Sequence, residues 1–289
     1  MNKKHAYLII AHKNDYCFKT LLQLLDDDRN DIYIHMVAKC QDYIPAEAEQ
    51  MLSHSSVYHI KRQKVTWGGY SMIQVEIKLI EKATSIGKYQ YYHLLSGQDL
   101  PIKSQNYIHD FFDSNNGKEF VLSRFPVFSH PLRVSFYHLF QERLGRKQDI
   151  FLNRLFLKCQ KLVGIKRNRH VSFFKGPQWF SITDEFARYV VSQKKWVNNV
   201  FRFTFCCDEV FLQTLLMNSP YKYKRYWVPA DGYMHSIMRL IDWERGKPYI
   251  FRMSDIDEIK NSDMLFCRKF DSDIDSDIIT FIKDTYEIR

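Results

Sequence analysis

Two carboxylate-bearing stretches are the first places where chemistry could happen. In HLLSGQDLPI, residues 93–102, an apolar run stops at Ser96-Gly97-Gln98 and then presents a single acid, Asp99. Enzymes that handle sugar nucleotides often hold a cation with an Asp-x-Asp pair at the end of such a strand, and here the second acid is missing. In CCDEVFLQTLL, residues 206–216, Asp208 and Glu209 stand side by side before an apolar run. A carboxylate presented to a sugar hydroxyl can take its proton as the new C–O bond forms, a contribution of about 10²–10⁴-fold in rate. Acids at a helix start more often cap its free N–H groups than do chemistry, so residue type alone favours the cap for this pair. Asp-x-Asp strings do occur late in the chain, at Asp255-Ile-Asp257 and Asp271-Ser-Asp273. The second opens a helical pattern, where acids favour the N-terminus through the helix dipole.

Positioning these groups requires a scaffold, and the apolar patterning supplies one. AYLIIA, DIYIHMV, SVYHIK, YQYYHLL and EFVLSRF read as strands, separated by the helical patterns DYCFKTLLQLLDD, GGYSMIQVEIKLIEKATS and SQNYIHDFFDS. This βα alternation through about residue 125 predicts a parallel sheet with helices on both faces. Later, SITDEFARYVVSQKK, DEVFLQTLLMNS and DIDSDIITFIKDTYEI read as helices. We expect one domain over 1–289, with a nucleotide-binding half at 1–125 and an acceptor and catalytic half at 126–289. Polar or aromatic groups collect where strands end: Ala11 and His12 after the first, His35 to Lys39 after the second, Arg62 and Trp67-Gly68-Gly69 after the third, and Ser96 to Asp99 after the fourth. Parallel α/β sheets bind ligands at that edge. No GxGxxG turn follows the first strand and no GxxxxGK[ST] loop exists, which argues against a dehydrogenase or a P-loop enzyme.

Composition sets the remaining bounds. The chain has 289 residues, 45% of them hydrophobic and 16% aromatic, enough for a large core. Its six cysteines form no CxxC pair. No apolar run reaches the roughly 18 residues of a membrane span. MNKKHAYLIIAHKND reads as a first strand rather than a signal peptide, so we expect reduced thiols and a cytoplasmic protein. The net charge of +9 is concentrated: between Arg133 and Lys175 stand eleven Lys or Arg against two acids, while the rest of the chain is balanced. Phe151, Leu152, Leu155, Phe156, Leu157, Leu162 and Val163 are threaded through this basic segment. Such a stretch suits an anionic membrane surface or a phosphate-bearing partner, and equally a solvated helix packed on its own core. No nucleic-acid-binding pattern accompanies it.

Taken in order, AYLIIAHK, YIHMVAK, VTWGGYSMIQVEIKLIEKA, YYHLLSGQDLPIKS, KGPQWFSITDEFARYVV, DEVFLQTLL and FCRKFD resemble the core-2/I-branching β-1,6-N-acetylglucosaminyltransferase family, which includes peptide xylosyltransferases. The resemblance runs from about residue 5 to 275 and is weakest over the basic insert at 133–175. It implies a bacterial-type member with a glycosyltransferase-A fold, a UDP-sugar donor, inversion at the anomeric carbon and no metal or other cofactor. It implies that Glu209 is the base, with Asp208, Trp179 and Trp243 on the acceptor side. It places Ala11, His12, His35, Arg62, Trp67, Gly68 and Asp99 around the donor. Lys269 falls at the family's diphosphate-binding lysine, with Arg268 beside it and a second basic group expected from Lys247 or Arg252. With no cation to hold, Asp99 would be free to bond sugar hydroxyls. One departure stands out: Val37 occupies the position where the family shows an acid that contacts the nucleoside.

The function expected is metal-independent transfer of GlcNAc or xylose from a UDP-sugar to a glycan or lipid-linked acceptor, in surface-polysaccharide biosynthesis. The basic insert would add a peripheral membrane contact. The competing expectation is a non-catalytic protein that uses the same insert to hold an anionic membrane or polymer.

Overall fold

The computed structural model describes residues 4–123, 132–145, 151–226 and 234–287. β1 (His5–Ala11), β2 (Asn30–Met36), β3 (Ser56–His59) and β4 (Tyr91–Ser96) are parallel neighbours in the order β3-β2-β1-β4. A second sheet contains β5 (Asp99–Pro101) at one edge, and β6 (Ser181–Thr183) closes the first sheet antiparallel to β4. In the second sheet β7 (Arg239–Ile241) runs parallel to β8 (Phe266–Arg268), and β8 runs antiparallel to β5.

The strand period of two explains why β1 is buried along its whole length. Tyr7, Ile9 and Ala11 join one core, which includes Phe18 and Leu21 of α1 (Tyr16–Leu24). Past α2 (Pro45–Met51) and α3 (Tyr70–Ile86), the same core takes Ile108 and Phe112 of α4 (Gln105–Ser114). Ala6, Leu8 and Ile10 face the other way, onto Ile73, Ile77 and Ile80 of α3. Truncating a fully buried β1 residue such as Leu8 to Ala should cost about 2–5 kcal/mol. The expected α/β architecture, a mostly parallel sheet covered on both faces, is thus present.

The remaining helices line the second half. α5 (Leu132–Ser135), α6 (Gln141–Leu144) and α7 (Phe151–Leu162) carry the basic insert. α8 (Asp184–Ser192), α9 (Lys194–Phe201) and α10 (Phe211–Met217) pack on the α3 side. α11 (Ile256–Asn261) and α12 (Asp277–Tyr286) pack on the α1 side. Among the described residues no helix is long and apolar enough to cross a membrane.

Three expectations are corrected. EFVLSRF does not form a strand over its length: Glu119 bridges Arg225 and Phe120 bridges Ser181, and residues 124 and 125 lie outside the described part. The pattern SITDEFARYVV begins as β6, not as helix, because β4 captures Ser181 to Thr183 as a sheet partner; Thr183 then caps α8 with its hydroxyl. Asp208 and Glu209 lie in a separate 3₁₀ turn, Cys207–Glu209, ahead of α10.

Candidate active site

The first group of residues assembles where β4 gives way to β5. Gly97 donates its N–H to Ile10 O at 3.2 Å, and a Cβ there would stand 3.0 Å from the Cβ of Ala11. The glycine therefore lets the SGQD turn lie against the end of β1. Asp99 is buried and accepts from Ser96 N at 2.8 Å and Ser96 Oγ at 2.9 Å. Sheet register puts Asp99 opposite Arg268, whose Nη1 lies 3.2 Å from the carboxylate. The guanidinium of Arg268 also stacks on the ring of Trp179, 4.0 Å from its centroid. Neither Nε nor Nη1 of Arg268 makes an aligned hydrogen bond, although both are buried. An arginine held in place by a carboxylate and an aromatic face is preorganised, and a guanidinium is suited to an anion.

Lys269 continues this strip. Its backbone pairs with Tyr249 and Phe251, so Arg252 follows immediately on the paired segment and Lys247 precedes it by two residues. Both side chains are exposed. Arg245, between them and Trp243, is committed to Asp242, Asp255 and Glu258. His12 lies at the other side of Lys269; desolvation, then the charges of Lys269 and Lys13, hold its ring below the usual imidazole range. The late acids are also accounted for. Lys13 pairs with Asp271 at 3.2 Å and Asp273 at 2.7 Å. Asp275, not Asp271 or Asp273, caps α12 by accepting from Asp277 N and Ile278 N.

The second group surrounds the acid pair. Gly68 (φ +66°) and Cys206 (φ +46°) both take left-handed backbone and meet back to back: Cys206 N donates to Gly68 O at 2.9 Å, and a Cβ on Gly68 would approach Cys206 Sγ to 2.8 Å. This contact seats the turn that carries Glu209. Oε2 of Glu209 lies 3.0 Å from Arg133 Nη1 and 3.4 Å from Lys175 Nζ. No contact to Oε1 is seen among the described residues. Behind it, burial first and the charge of Glu209 second push Asp208 up to about 6. Glu76, fully buried on α3, is held well above the usual carboxylate range by desolvation and then by Asp208. Its Oε1 accepts from Gln178 Nε2 at 2.7 Å, while Glu76 Oε2 and Asp208 Oδ1 are buried without a hydrogen bond.

The segment Lys175-Gly176-Pro177-Gln178-Trp179 joins the two groups. Lys175 pairs with Glu209, and Gly176 N donates to Glu209 O at 3.0 Å. A Cβ on Gly176 would fall 1.8 Å from Leu122 O, so only glycine fits there. Pro177 O accepts from Gln213, Gln178 reaches Glu76, and Trp179 receives Arg268. This strap ties the Glu209 turn to Arg268, with Lys175 and Trp179 at most about 14 Å apart along the backbone.

Within this chain, residues 5–265 match the family model of the core-2/I-branching enzymes. The chain belongs to the core-2/I-branching enzyme family. It is 24% identical over 294 residues to xylosyltransferase sqv-6 of Caenorhabditis elegans, covering 92% of this chain and 34% of that protein. It is 24% identical over 285 residues to xylosyltransferase oxt of Drosophila pseudoobscura pseudoobscura, covering 90% of this chain and 30% of the relative. The chain thus spans about a third of the length of these relatives. Mouse xyloside xylosyltransferase 1 overlaps 91% of this chain and 96% of its own, but at 9% identity and a TM-score of 0.35. At that level the overlap carries no argument.

Set on this geometry, the residues expected around a donor separate into two kinds. His12, Arg268 and Lys269 share one edge, with Lys247 and Arg252 on the neighbouring strip. Ala11 and His35 are instead enclosed. His35 accepts from Gln63 N at 3.2 Å and is pushed down to about 4 by burial, so it is a neutral brace for the chain after β3. Arg62 is similarly engaged, clamping the carbonyls of Val37, Ala38 and Cys40 after β2. Val37 is buried at the position where the family shows an acid. Gly68 seats the Glu209 turn rather than facing an open cleft, and Asp99 is not free for sugar hydroxyls, since Ser96 and Arg268 occupy it. On the acceptor side, Trp179 is only 8% exposed and covered by Arg268, whereas Trp243 is 49% exposed; Trp67, expected around the donor, is 45% exposed. Glu76, Arg133, Lys175 and Gln178 escaped the sequence reading. Only Glu76 left a signal, an acid at i+3 from Ile73 and i−4 from Ile80, within the apolar stripe of α3.

Proposed function

We propose that this protein is an inverting, metal-independent glycosyltransferase. It moves GlcNAc or xylose from a UDP-sugar to a hydroxyl of a glycan or lipid-linked acceptor, in cytoplasmic assembly of a surface polysaccharide. The observation that carries this reading is the arrangement of Glu209: one carboxylate oxygen is anchored by Arg133 and Lys175, the other is uncommitted, and a strap leads from the same residue to Arg268. In the reaction the acceptor oxygen attacks the anomeric carbon as its proton passes to Oε1 of Glu209. The bond from that carbon to the diphosphate breaks on the opposite side. The charge released onto UDP meets Arg268 and Lys269, with Lys247 or Arg252 as the second basic group. Preorganised cations at a departing phosphate replace the electrostatic work of a metal ion. Trp243 and Trp67 offer faces on which a sugar ring can lie.

The test is UDP release from a panel of UDP-sugars, with and without a strong chelator, in the presence of an acceptor extract. Release with one or two sugars that survives chelation is the expected result. Activity that vanishes with chelator and returns with Mn²⁺ or Mg²⁺ would remove the metal-independent part. No UDP binding at all would favour the non-catalytic alternative.

A further inference from the structure

The basic insert, which the catalytic geometry uses only through Arg133 and Lys175, has an inner and an outer side. On α7 the positions Asn153, Phe156, Leu157 and Gln160 recur at i, i+3, i+4 and i+7 and are buried or half-buried. Gln160 locks this side to residue 137: its Oε1 accepts from Tyr137 N at 2.8 Å and its Nε2 donates to Tyr137 O at 3.0 Å. Asn168 and Arg167 extend the attachment, donating to Val134 O at 2.9 Å and Asn199 O at 2.8 Å. The inner side therefore holds the stretch from which Arg133 reaches Glu209.

The outer side is different. α7 ends in a closed cap, with Ile165 N donating to Gln160 O at 2.9 Å and Gly164, at φ +70°, donating to Lys161 O at 3.3 Å. This hydrogen-bond pair is the Schellman arrangement, in which an apolar residue after the glycine usually folds back onto the helix. Here Ile165 is exposed instead. Leu162 is 85% and Val163 70% exposed, and Leu155, 44% exposed, lies two turns before Leu162 on the same face of α7. Lys158 and Lys161 are interleaved with these apolar residues along the chain, Lys166 follows them, and all three are exposed. No Asp or Glu occurs between Phe151 and Lys175. Arg167, by contrast, stacks on Tyr137 and is turned inward, away from this basic group.

We propose that this capped end of α7 docks on an anionic lipid bilayer. Leu155, Leu162, Val163 and Ile165 enter the headgroup boundary and Lys158, Lys161 and Lys166 meet the lipid phosphates. Exposed aliphatic side chains interleaved with lysines and no acids along the segment fit an anionic bilayer better than a nucleic acid, whose backbone offers them nothing to bury against. The fixed tip means that little ordering accompanies insertion. Because the inner side of the same helix supports Arg133, docking holds the Glu209 turn near the membrane surface, where a lipid-linked acceptor would lie. That last step rests on the proposed function; the docking itself does not.

The experiment is co-sedimentation of the whole protein, without donor or acceptor, with vesicles of phosphatidylcholine alone or mixed with phosphatidylglycerol. The protein should partition at least about tenfold more onto the anionic vesicles, and partition should fall steeply between 0.1 M and 1 M salt as the Debye length shrinks from about 10 to 3 Å. Two variants then separate the contributions: Leu162→Glu with Val163→Glu, and Lys158→Glu with Lys161→Glu and Lys166→Glu. Each should lower the bound fraction at least about tenfold, with thermal melting unchanged because the sites are exposed. Leu162→Trp should keep binding and show a blue-shifted emission on anionic vesicles. Equal partition onto neutral vesicles, or binding untouched by both variants, would overturn the proposal. So would tight binding of an oligonucleotide that depends on the lysines but not on Leu162 and Val163. UDP release with a soluble acceptor is measured separately in each variant, so loss of docking and loss of transfer are read independently.

Discussion

The histidines beside β1 and the carboxyls behind Glu209 are both titratable groups taken out of water, yet they are completed differently. His93 shares hydrogen bonds with Ser181 Oγ at 2.8 Å and His5 Nδ1 at 3.1 Å, and His109 bonds Asn30 at 3.0 Å. His5 stacks on His109 at 4.0 Å. All three are buried and held below the usual imidazole range, chiefly by desolvation. They are neutral packing units, with His5 Nε2 buried and without a hydrogen bond. The carboxyls Glu76 and Asp208 each keep one buried oxygen unpaired, and they lead outward to a third carboxylate with an uncommitted oxygen. An unmatched buried acid opposes folding, and such features persist where a reaction uses them. Burial of ionisable groups, even with one atom unpaired, is therefore not itself the mark of a site; what sets the carboxyls apart is their link to the partly exposed Glu209.

The largest effect expected from breaking this contrast is at Glu209. Glu209→Gln keeps the shape and removes the proton acceptor, so glycosyl transfer should drop at least about a hundredfold while UDP affinity and melting temperature hold. Near-normal transfer in steady-state assays would move the base elsewhere. Next in size is the basic strip. Lys269→Ala should weaken UDP binding by roughly 10- to 100-fold in calorimetry, since a charge-assisted contact to phosphate is worth about 1.5–3 kcal/mol. Unchanged affinity would leave Arg268 to carry the diphosphate.

A smaller effect should appear in stability. Asp208 is raised to about 6 in the folded protein, against an unfolded value near 3.8. The folded state then binds more protons across that window, so stability falls as pH rises through it, and the penalty is complete above pH 6. Asp208→Asn should therefore raise the melting temperature at pH 7–8, by an amount equivalent to roughly 1–3 kcal/mol, and change little near pH 3.5. A destabilised Asn variant at pH 8 would show that the acid is better matched than its contacts indicate.

The smallest and broadest effect belongs to the histidines, and its sign is opposite. Their folded values lie below the unfolded value near 6.5, with His109 pushed down to about 4. Their contribution is complete above pH 6.5 and is lost as pH falls from there toward 4. In the wild type, relief at Asp208 offsets part of that loss. The melting temperature of Asp208→Asn should consequently decline more steeply between pH 7 and 5 than that of the wild type; parallel curves would break the comparison.

Much of the scaffold could be read directly from residue order. AYLIIA is apolar on both faces because β1 is covered on both sides, and α3 repeats at Ile73, Ile77 and Ile80 because one side meets the sheet. Those signals are local, so a single chain displays them. Glu209 was reachable through the Asp-Glu pair and the family resemblance, but its setting was not. Arg133, Lys175 and Gln178 look like ordinary polar residues of a basic stretch until the chain folds. Asp99 shows the reverse: its position at a strand end suggested an open ligand, and pairing of β5 with β8 enclosed it.

The sequence by itself determined the alternation of strands and helices, the family, the lone acid of the SGQD turn and the concentration of positive charge in one insert. These depend on side-chain type and near-neighbour spacing, which the covalent chain sets. Only the tertiary structure decided that Asp99 holds Arg268, that Glu76 stands behind Asp208, and which side of α7 faces outward. Each of those depends on groups separated by tens to hundreds of residues, and on how much water folding leaves between them.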